Sequence, residues 1–230
     1  MTEARPATMT VDEAIDGRQS VRAFLRDKPV PRAVIEHILR IAQRSPSGAN
    51  MQPWHVWVVQ GAMRDAIVAD LLKAHDAGSP STREYNYYPE KWREPYYARR
   101  VACGYGLYSA LGIAKGDKPR MHAQHARNFK LFDAPVSLVV TLERDLPLGA
   151  WLDCGMFLQS IMMAARGQGL ETCAQAAIAH HQQVLRDHLK LPDEQLVLCG
   201  IAVGYADPGA PENRFRTARE PLDVFVRWTE

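Results

Sequence analysis

Two stretches of this 230-residue chain carry side chains whose type and spacing suit gripping an anion. In "RQSVRAF" (18–24), extended backbone sets Arg18, Ser20 and Arg22 on one face, each about 6–7 Å from the next. One guanidinium can then hold a phosphate through paired N–H donors, while the other sets positive charge against a second anionic group. A helix would bring Arg18 and Arg22 together and turn Ser20 away. The plainer reading is a solvated basic turn after a helix, and the residues alone leave both open. Arg214, Arg216 and Arg219 form a second basic cluster, in which "TAREPLD" sets Arg219 just before a Pro-bounded apolar segment. Read plainly, that cluster is a surface charge run.

Other chemistries find little footing. There is no G-x-x-x-x-G-K-[ST] stretch. "GYGLYSALG" (104–112) has neither G-x-G-x-x-G spacing nor a strand before it, so no dedicated dinucleotide-binding domain is expected. His122 and His125 lie three apart on a helical stretch without a nearby carboxylate, and the adjacent His180 and His181 point apart, so no metal site is expected. No G-x-S-x-G elbow marks a serine hydrolase. A net charge of +2 gives no reason to expect nucleic acid or an acidic membrane surface as a partner. Cys103, Cys154, Cys173 and Cys199 form no C-x-x-C pair and read as reduced, packed thiols. "MTEARPATMT" has no apolar leader region. Together these features point to the cytoplasm.

The elements that must position these residues follow from periodicity. A short helix spans Val11 to Gly17, with Thr10 or Asp12 near its start. "VPRAVIEHILRIAQRS" has Pro31 in a first turn and Val34, Ile35, Ile38, Leu39, Ile41 and Ala42 at helical spacing. Strands are expected at 54–60, 132–143 and 195–205, and helices at 62–74, 150–167 and around 181–190. Residues 169–178 read as a turn into a short extended stretch. The window 148–165 is barely long enough to span a membrane, and Asp153 and Gln159 interrupt it. A helix buried on several sides, at a subunit interface, is expected there instead, and no membrane partner. "SPSGANMQPWHVWVV" (45–59) runs five loop formers straight into a core strand. Residues 76–100 are rich in Tyr, Trp, Arg, Glu and Pro, a loop at first and helical at the end. With no repeat or linker and no regular alternation of strand and helix, one α+β domain over 1–230 is expected.

In chain order, "RQSVRAF", "SPSGANMQPWHVWVV", "FDAPVSLVV", "GLETCAQAAI" and "REPLDVFVRW" make the sequence resemble the FMN-dependent nitroreductase family over 11–228. The resemblance implies an α+β fold with a mixed, largely antiparallel central sheet flanked by helices. It also implies an intertwined homodimer with two FMN sites at the interface. Residues 205–230 become a C-terminal arm reaching the partner subunit, and 76–100 a variable segment near the pocket. Arg18 and Ser20 match phosphate and ribityl contacts, with Gln19 nearby, and Arg22 matches a cation beside the flavin pyrimidine edge. Pro46, Ser47 and Asn50 match flavin contacts on a loop contributed by the other subunit, with Gly48 supplying room and Gln52 a further candidate. Asn128 and Lys130 fall where the family has polar contacts to flavin or substrate. Gln175, Ala176 and Ala177 match a segment whose backbone N–H faces flavin N5; many relatives carry Glu-Gly or Gly-Gly where this chain has Ala176–Ala177. Arg219 matches a phosphate-binding residue. Thr217 stands where a second basic residue is usual, so Arg216 or Arg214 would take its place.

The implied chemistry is that of bound FMN, reduced by NADH or NADPH, passing hydride through N5 to a nitroaromatic or quinone. The two substrates share one site, which means ping-pong exchange, and a nitro group goes to nitroso and then hydroxylamine. No side chain is required as nucleophile or general base; Arg22 tunes the flavin by stabilising negative charge near N1. In 83–100, Trp92, Tyr96 and Tyr97 are expected to stack on a planar substrate, and the arginines to hold a carboxylate or nitro group. The alternative for that segment is a surface helix packed against the dimer. Alternatives for the activity are reductive dehalogenation or flavin breakdown on the same fold, or flavin binding without turnover.

Overall fold

The structure, a computed structural model, describes residues 9–229. The reading of the first ten residues as no leader therefore falls, save for Met9 and Thr10, outside the described residues. Helix α1 (Val11–Gly17) starts on a capping box: the Glu13 N–H donates to Thr10 Oγ1 at 3.2 Å, and the Thr10 N–H donates to the Glu13 carboxylate at 2.7 Å. Then follow α2 (Arg32–Ala42), β1 (His55–Gln60), α3 (Gly61–Asp76), α4 (Tyr96–Ala110), α5 (Lys118–Ala126), β2 (Val136–Glu143), α6 (Leu148–Gly167), β3 (Glu171–Gln175), α7 (Gln182–Leu189), β4 (Gln195–Gly204) and a short α8 (Leu222–Phe225).

The four strands form one sheet in the order β1-β2-β4-β3, every pairing antiparallel. The parallel element is a bridge from Ser20 to Thr172, which leans the 18–24 stretch on the β3 edge. β2 and β4 do not alternate between apolar and polar because both faces of the sheet are covered. On one face Ile35, Ile38, Phe157 and Ile161 of α2 and α6 pack on Leu138 and Ile201. On the other, Ile67, Leu71 and Leu185 of α3 and α7 pack on Val139 and Val197. Val197 and Ile201 share parity yet face opposite ways. The reason is a bulge: Val140 pairs with Cys199 and Thr141 with Val197, so Leu198 is the extra residue that reverses the phase of β4. Its freed carbonyl accepts from the Tyr85 hydroxyl, which ties the segment after α3 to the sheet.

The expected elements are found, with shifted ends. The strand expected over 132–143 begins only at Val136, because Leu131, Phe132 and Asp133 make a 3-10 turn with φ of 54°, 53° and 65°. The Phe132 carbonyl accepts from the Phe24 N–H at 3.0 Å, so this turn is bonded to the basic stretch, not to the sheet. α3 runs two residues past its expected end, carrying His75 and Asp76 on helix. The short extended stretch expected within 169–178 is β3, which ends at Gln175 where the chain enters a 3-10 turn, Ala176–His181. α6 is half covered: Ala150, Asp153, Cys154, Phe157, Ile161 and Ala165 are buried, while Leu148 and Leu152 are 82% and 69% exposed. It is also long and apolar enough to cross a membrane by length and composition, but its inner face packs on the sheet.

Candidate functional site

The 18–24 stretch is extended. Val21 and Ala23 turn inward, 0% and 6% exposed, and the Val21 N–H donates to the Thr172 carbonyl at 3.1 Å. Arg18, Ser20 and Arg22 therefore face the other way, into a cavity of about 930 Å³ that Gln19 also lines. The chain's tail closes it with Phe215, Arg216, Thr217 and Arg219. Asn213, which the sequence reading passed over, joins the two: it accepts from the Arg22 N–H at 2.9 Å and donates to the Ala23 carbonyl at 2.8 Å. Arg216 Nη1 donates to the Gly17 carbonyl at 3.1 Å, and Arg219 Nη1 to Thr217 Oγ1 at 2.7 Å. Arg216 thus lines the cavity and Arg214, which is exposed, does not. Burial, then the charges of Arg219 and Arg216, hold the Arg18 guanidinium below its ordinary pKa. It stays charged all the same, so this end of the cleft is a set of crowded cations. Gly106 on α4 makes it possible for Phe215 to close the wall, since a Cβ there would collide with the ring.

Arg22 also lines a second cavity, of about 440 Å³, with Asn128, Cys173, Gln175, Ala176 and Ala177. Its position is set from behind: Arg127 donates to the Arg22 carbonyl at 3.1 Å and pairs with Asp133. Gln175 Nε2 donates to the Asn128 carbonyl at 2.8 Å, while Gln175 Oε1 is buried without a partner. Burial pushes the Cys173 thiol up to about 11, so it is protonated and inert at neutral pH. Arg83, Tyr87, Tyr88, His125 and His180 complete the lining. The two cavities, joined at Arg22, offer a polar cationic end and a half-aromatic end.

The Nitroreductase family profile matches residues 15–205. The chain belongs to that family. A 4-nitrobenzoate reductase of Nocardioides sp. is 39% identical over 226 residues, covering 97% of this chain and 91% of its own. A nitrobenzene nitroreductase of Ectopseudomonas oleovorans is 37% identical, covering 96% and 97%. Among solved structures, the FMN and NADPH-dependent nitroreductase NfnB from Sphigopyxis sp. strain HMH superposes with a TM-score of 0.92 at 39% identity, over 96% of this chain and 99% of that one.

Not every residue that the nitroreductase pattern singled out reaches the cleft. Pro46, Ser47, Gly48 and Asn50 line neither cavity of the protomer. The loop's own geometry is specific. A Cβ on Gly48 would sit 3.8 Å from Asp153, an ordinary contact. The left-handed positions are Ala49, Asn50 and Gln52, with φ of 49°, 58° and 50°, so residues with side chains carry the strain. The loop is held from both ends. The Gly48 N–H donates to Asp153 Oδ2 at 3.1 Å, and Trp54 stacks on Phe157 with centroids 4.4 Å apart. Lys130 is exposed; its carbonyl accepts from Arg64 and its side chain lines neither cavity. Trp92, Tyr96 and Tyr97 also stay outside, the first two lying under Arg100 and Arg93 at 4.8 and 5.1 Å; Tyr87 and Tyr88 stand in the wall instead.

The histidines do find a carboxylate. Asp76 lies 3.3 Å from His122 Nε2, with His75 beside them. The His75 and His122 rings stack with centroids 4.4 Å apart and planes within 13°. The candidate ligand atoms of His75, Asp76 and His122 lie within 4.8 Å of one another.

Proposed function

We propose that this chain is the protomer of a homodimeric, FMN-dependent NAD(P)H oxidoreductase that reduces nitroaromatic compounds. The observation that carries the reading is the two-part cleft joined at Arg22. The donor set fits FMN. Arg18, half-buried, stands beside the exposed Arg216 and Arg219, three cations drawn together, an arrangement that an anion such as a phosphate relieves. Ser20 and Gln19 lie beside them, and Gln19 Oε1 is a buried acceptor without a partner, suited to a ribityl hydroxyl. When bound, FMN supplies the hydride-accepting and hydride-donating centre at N5.

The side chains of this protein do the remaining work. Arg18, Arg216 and Arg219 hold the phosphate, and Arg22 keeps a permanent positive charge at the junction of the two cavities. Gln175, Ala176 and Ala177 offer backbone N–H groups in the second cavity, and Asn128 is fixed beside them by Gln175. Cys173, protonated, does not compete as a nucleophile. Lys130 has no part in this reading. Pro46, Ser47, Gly48 and Asn50 belong to the partner's cleft in the dimer, which gives their strained loop a use. The exposed Leu148 and Leu152 of α6, and Leu222, Phe225 and Trp228 of the 205–230 arm, supply the apolar surface such a dimer needs. Four unpaired thiols fit a cytoplasmic setting.

The test is direct. The purified protein is expected to be yellow and to bleach when NADPH or NADH is added without oxygen. The colour should return on adding a nitroarene, and initial-rate plots at several nicotinamide concentrations should run parallel. A colourless protein that takes up no added FMN overturns the reading; intersecting plots overturn the shared-site exchange alone.

A further inference from the structure

The second cavity holds two permanent cations, Arg22 and Arg83, and no carboxylate. Its ionisable lining includes Arg22, Arg83, His125 and His180, and no aspartate or glutamate. Arg22 belongs to the cofactor side of the cleft. Arg83 is left over, and among the described residues it makes no ion pair: the neighbouring Glu84 is turned away and paired with Arg144. Arg83 uses one Nη2 donor on the Ala176 carbonyl at 2.7 Å, while its Nε is buried with no acceptor. That Nε is closed off, so the donors left for an anion entering the cavity are those of the Nη atoms, and a permanent cation with no counter-charge beside it favours such an anion.

The arginine is also held in place before any ligand arrives. The Thr82 N–H donates to the His180 carbonyl at 2.8 Å, and Gln182 Nε2 donates to the Thr82 carbonyl at 2.6 Å. On the other side, Tyr85 is bonded to the bulge carbonyl of Leu198. Arg83 therefore sits on a segment clamped at both neighbours, one hydrogen bond away from the Ala176 backbone. Tyr87 and Tyr88, packed edge to face with centroids 4.7 Å apart, give the same cavity an aromatic wall.

We propose that Arg83, with His180 beside it, is a carboxylate-binding subsite, and that the preferred nitroarene carries a ring carboxylate. This rests on the nitroreductase reading of the same cleft. The guanidinium fork takes a carboxylate through two N–H donors, and the tyrosine wall takes the ring. Arg83 is a specificity residue and transfers nothing itself.

Two measurements test it. The first compares kcat/KM for 4-nitrobenzoate and for uncharged nitrobenzene in the FMN-loaded wild type, Arg83→Gln and Arg83→Lys. The wild type should favour nitrobenzoate. The ratio of the two should fall about ten- to a hundredfold in Arg83→Gln, as expected for loss of charged hydrogen bonds, and less in Arg83→Lys. The second needs neither turnover nor a variant: benzoate should perturb the bound flavin's absorbance at concentrations where benzamide does not. A wild type indifferent to the carboxylate, or a ratio unmoved in Arg83→Gln, overturns the subsite while leaving nitro reduction standing. The same holds if Arg83→Gln alters only the choice of NADPH over NADH, for the arginine would then serve the nicotinamide's phosphate. If neither nitroarene turns over, the proposed function fails, and benzoate against benzamide still decides the subsite.

Discussion

Asp153 is the only carboxylate on α6, and it is 7% exposed. In the sequence it interrupts an apolar run. In the fold its Oδ2 accepts the Gly48 N–H, so it fixes the loop that carries Pro46, Ser47 and Asn50. Asp153→Ala leaves a backbone donor without its charged acceptor and opens a gap beneath the loop, for a loss of about 1–3 kcal/mol. Asp153→Asn keeps a carbonyl acceptor and should lose less. Chemical denaturation of both variants, with FMN affinity measured alongside, checks the order. If Asp153 acts through the loop, FMN affinity in Asp153→Ala falls along with stability. Arg18, Ser20 and Arg22 were legible at this scale because they lie within five residues of one extended stretch. Asn213 was not, since its bonds to Arg22 and Ala23 cross about 190 positions.

At the scale of elements, α3, α5 and the 3-10 turn after β3 bring five imidazoles around Phe129, itself 0% exposed. His75 touches His122, His125 and Phe129, while His181 touches Phe129 and His180. Burial, more than the neighbouring imidazoles, holds His75, His125 and His181 below the usual histidine range; His180 is lowered by burial and then by Arg83. The unfolded chain gains protons on these groups as pH falls past about 6.5, and the folded chain resists. Stability is therefore expected to decline as pH falls from about 7 to 5 and to level off once the folded imidazoles also take protons. His75 Nε2 is buried and unpaired, so His75→Phe keeps the ring packing and removes a titrating group. The variant's Tm should fall less than the wild type's between pH 7 and pH 5. An identical fall would mean the stack does not titrate in this range. The sequence showed α3 and a helical stretch at His122 and His125, but only their packing shows that Asp76 meets His122.

For the whole molecule, the surface carries large exposed apolar side chains. Leu222, Phe225 and Trp228 are 69%, 65% and 87% exposed near the end of the chain, and Leu148 and Leu152 stand out from α6. Large aromatic side chains of this kind dominate association when they find a pocket. If the proposed homodimer is clasped by this arm, Phe225→Ser with Trp228→Ser weakens dimerisation by at least about tenfold, read by sedimentation across a concentration series. Flavin retention should fall with it, because the loop at 46–50 lines no cavity of its own protomer. A doubly substituted protein that stays dimeric and yellow would rule out the arm as the clasp.

The sequence by itself determined the α+β class, the four strands, helices α1, α2, α3, α6 and α7, and the basic stretch at 18–24. These rest on local periodicity and on chemistry carried within a few residues. Only the tertiary structure decided which way the variable segment faces. Trp92, Tyr96 and Tyr97 looked as fit for a substrate as Tyr87 and Tyr88, and composition does not rank them. The Thr82–His180 and Tyr85–Leu198 bonds, spanning about 100 positions, turn Arg83, Tyr87 and Tyr88 into the cleft and leave the other three outside. A side chain's direction there is set by partners far along the chain, and neither spacing nor propensity encodes them.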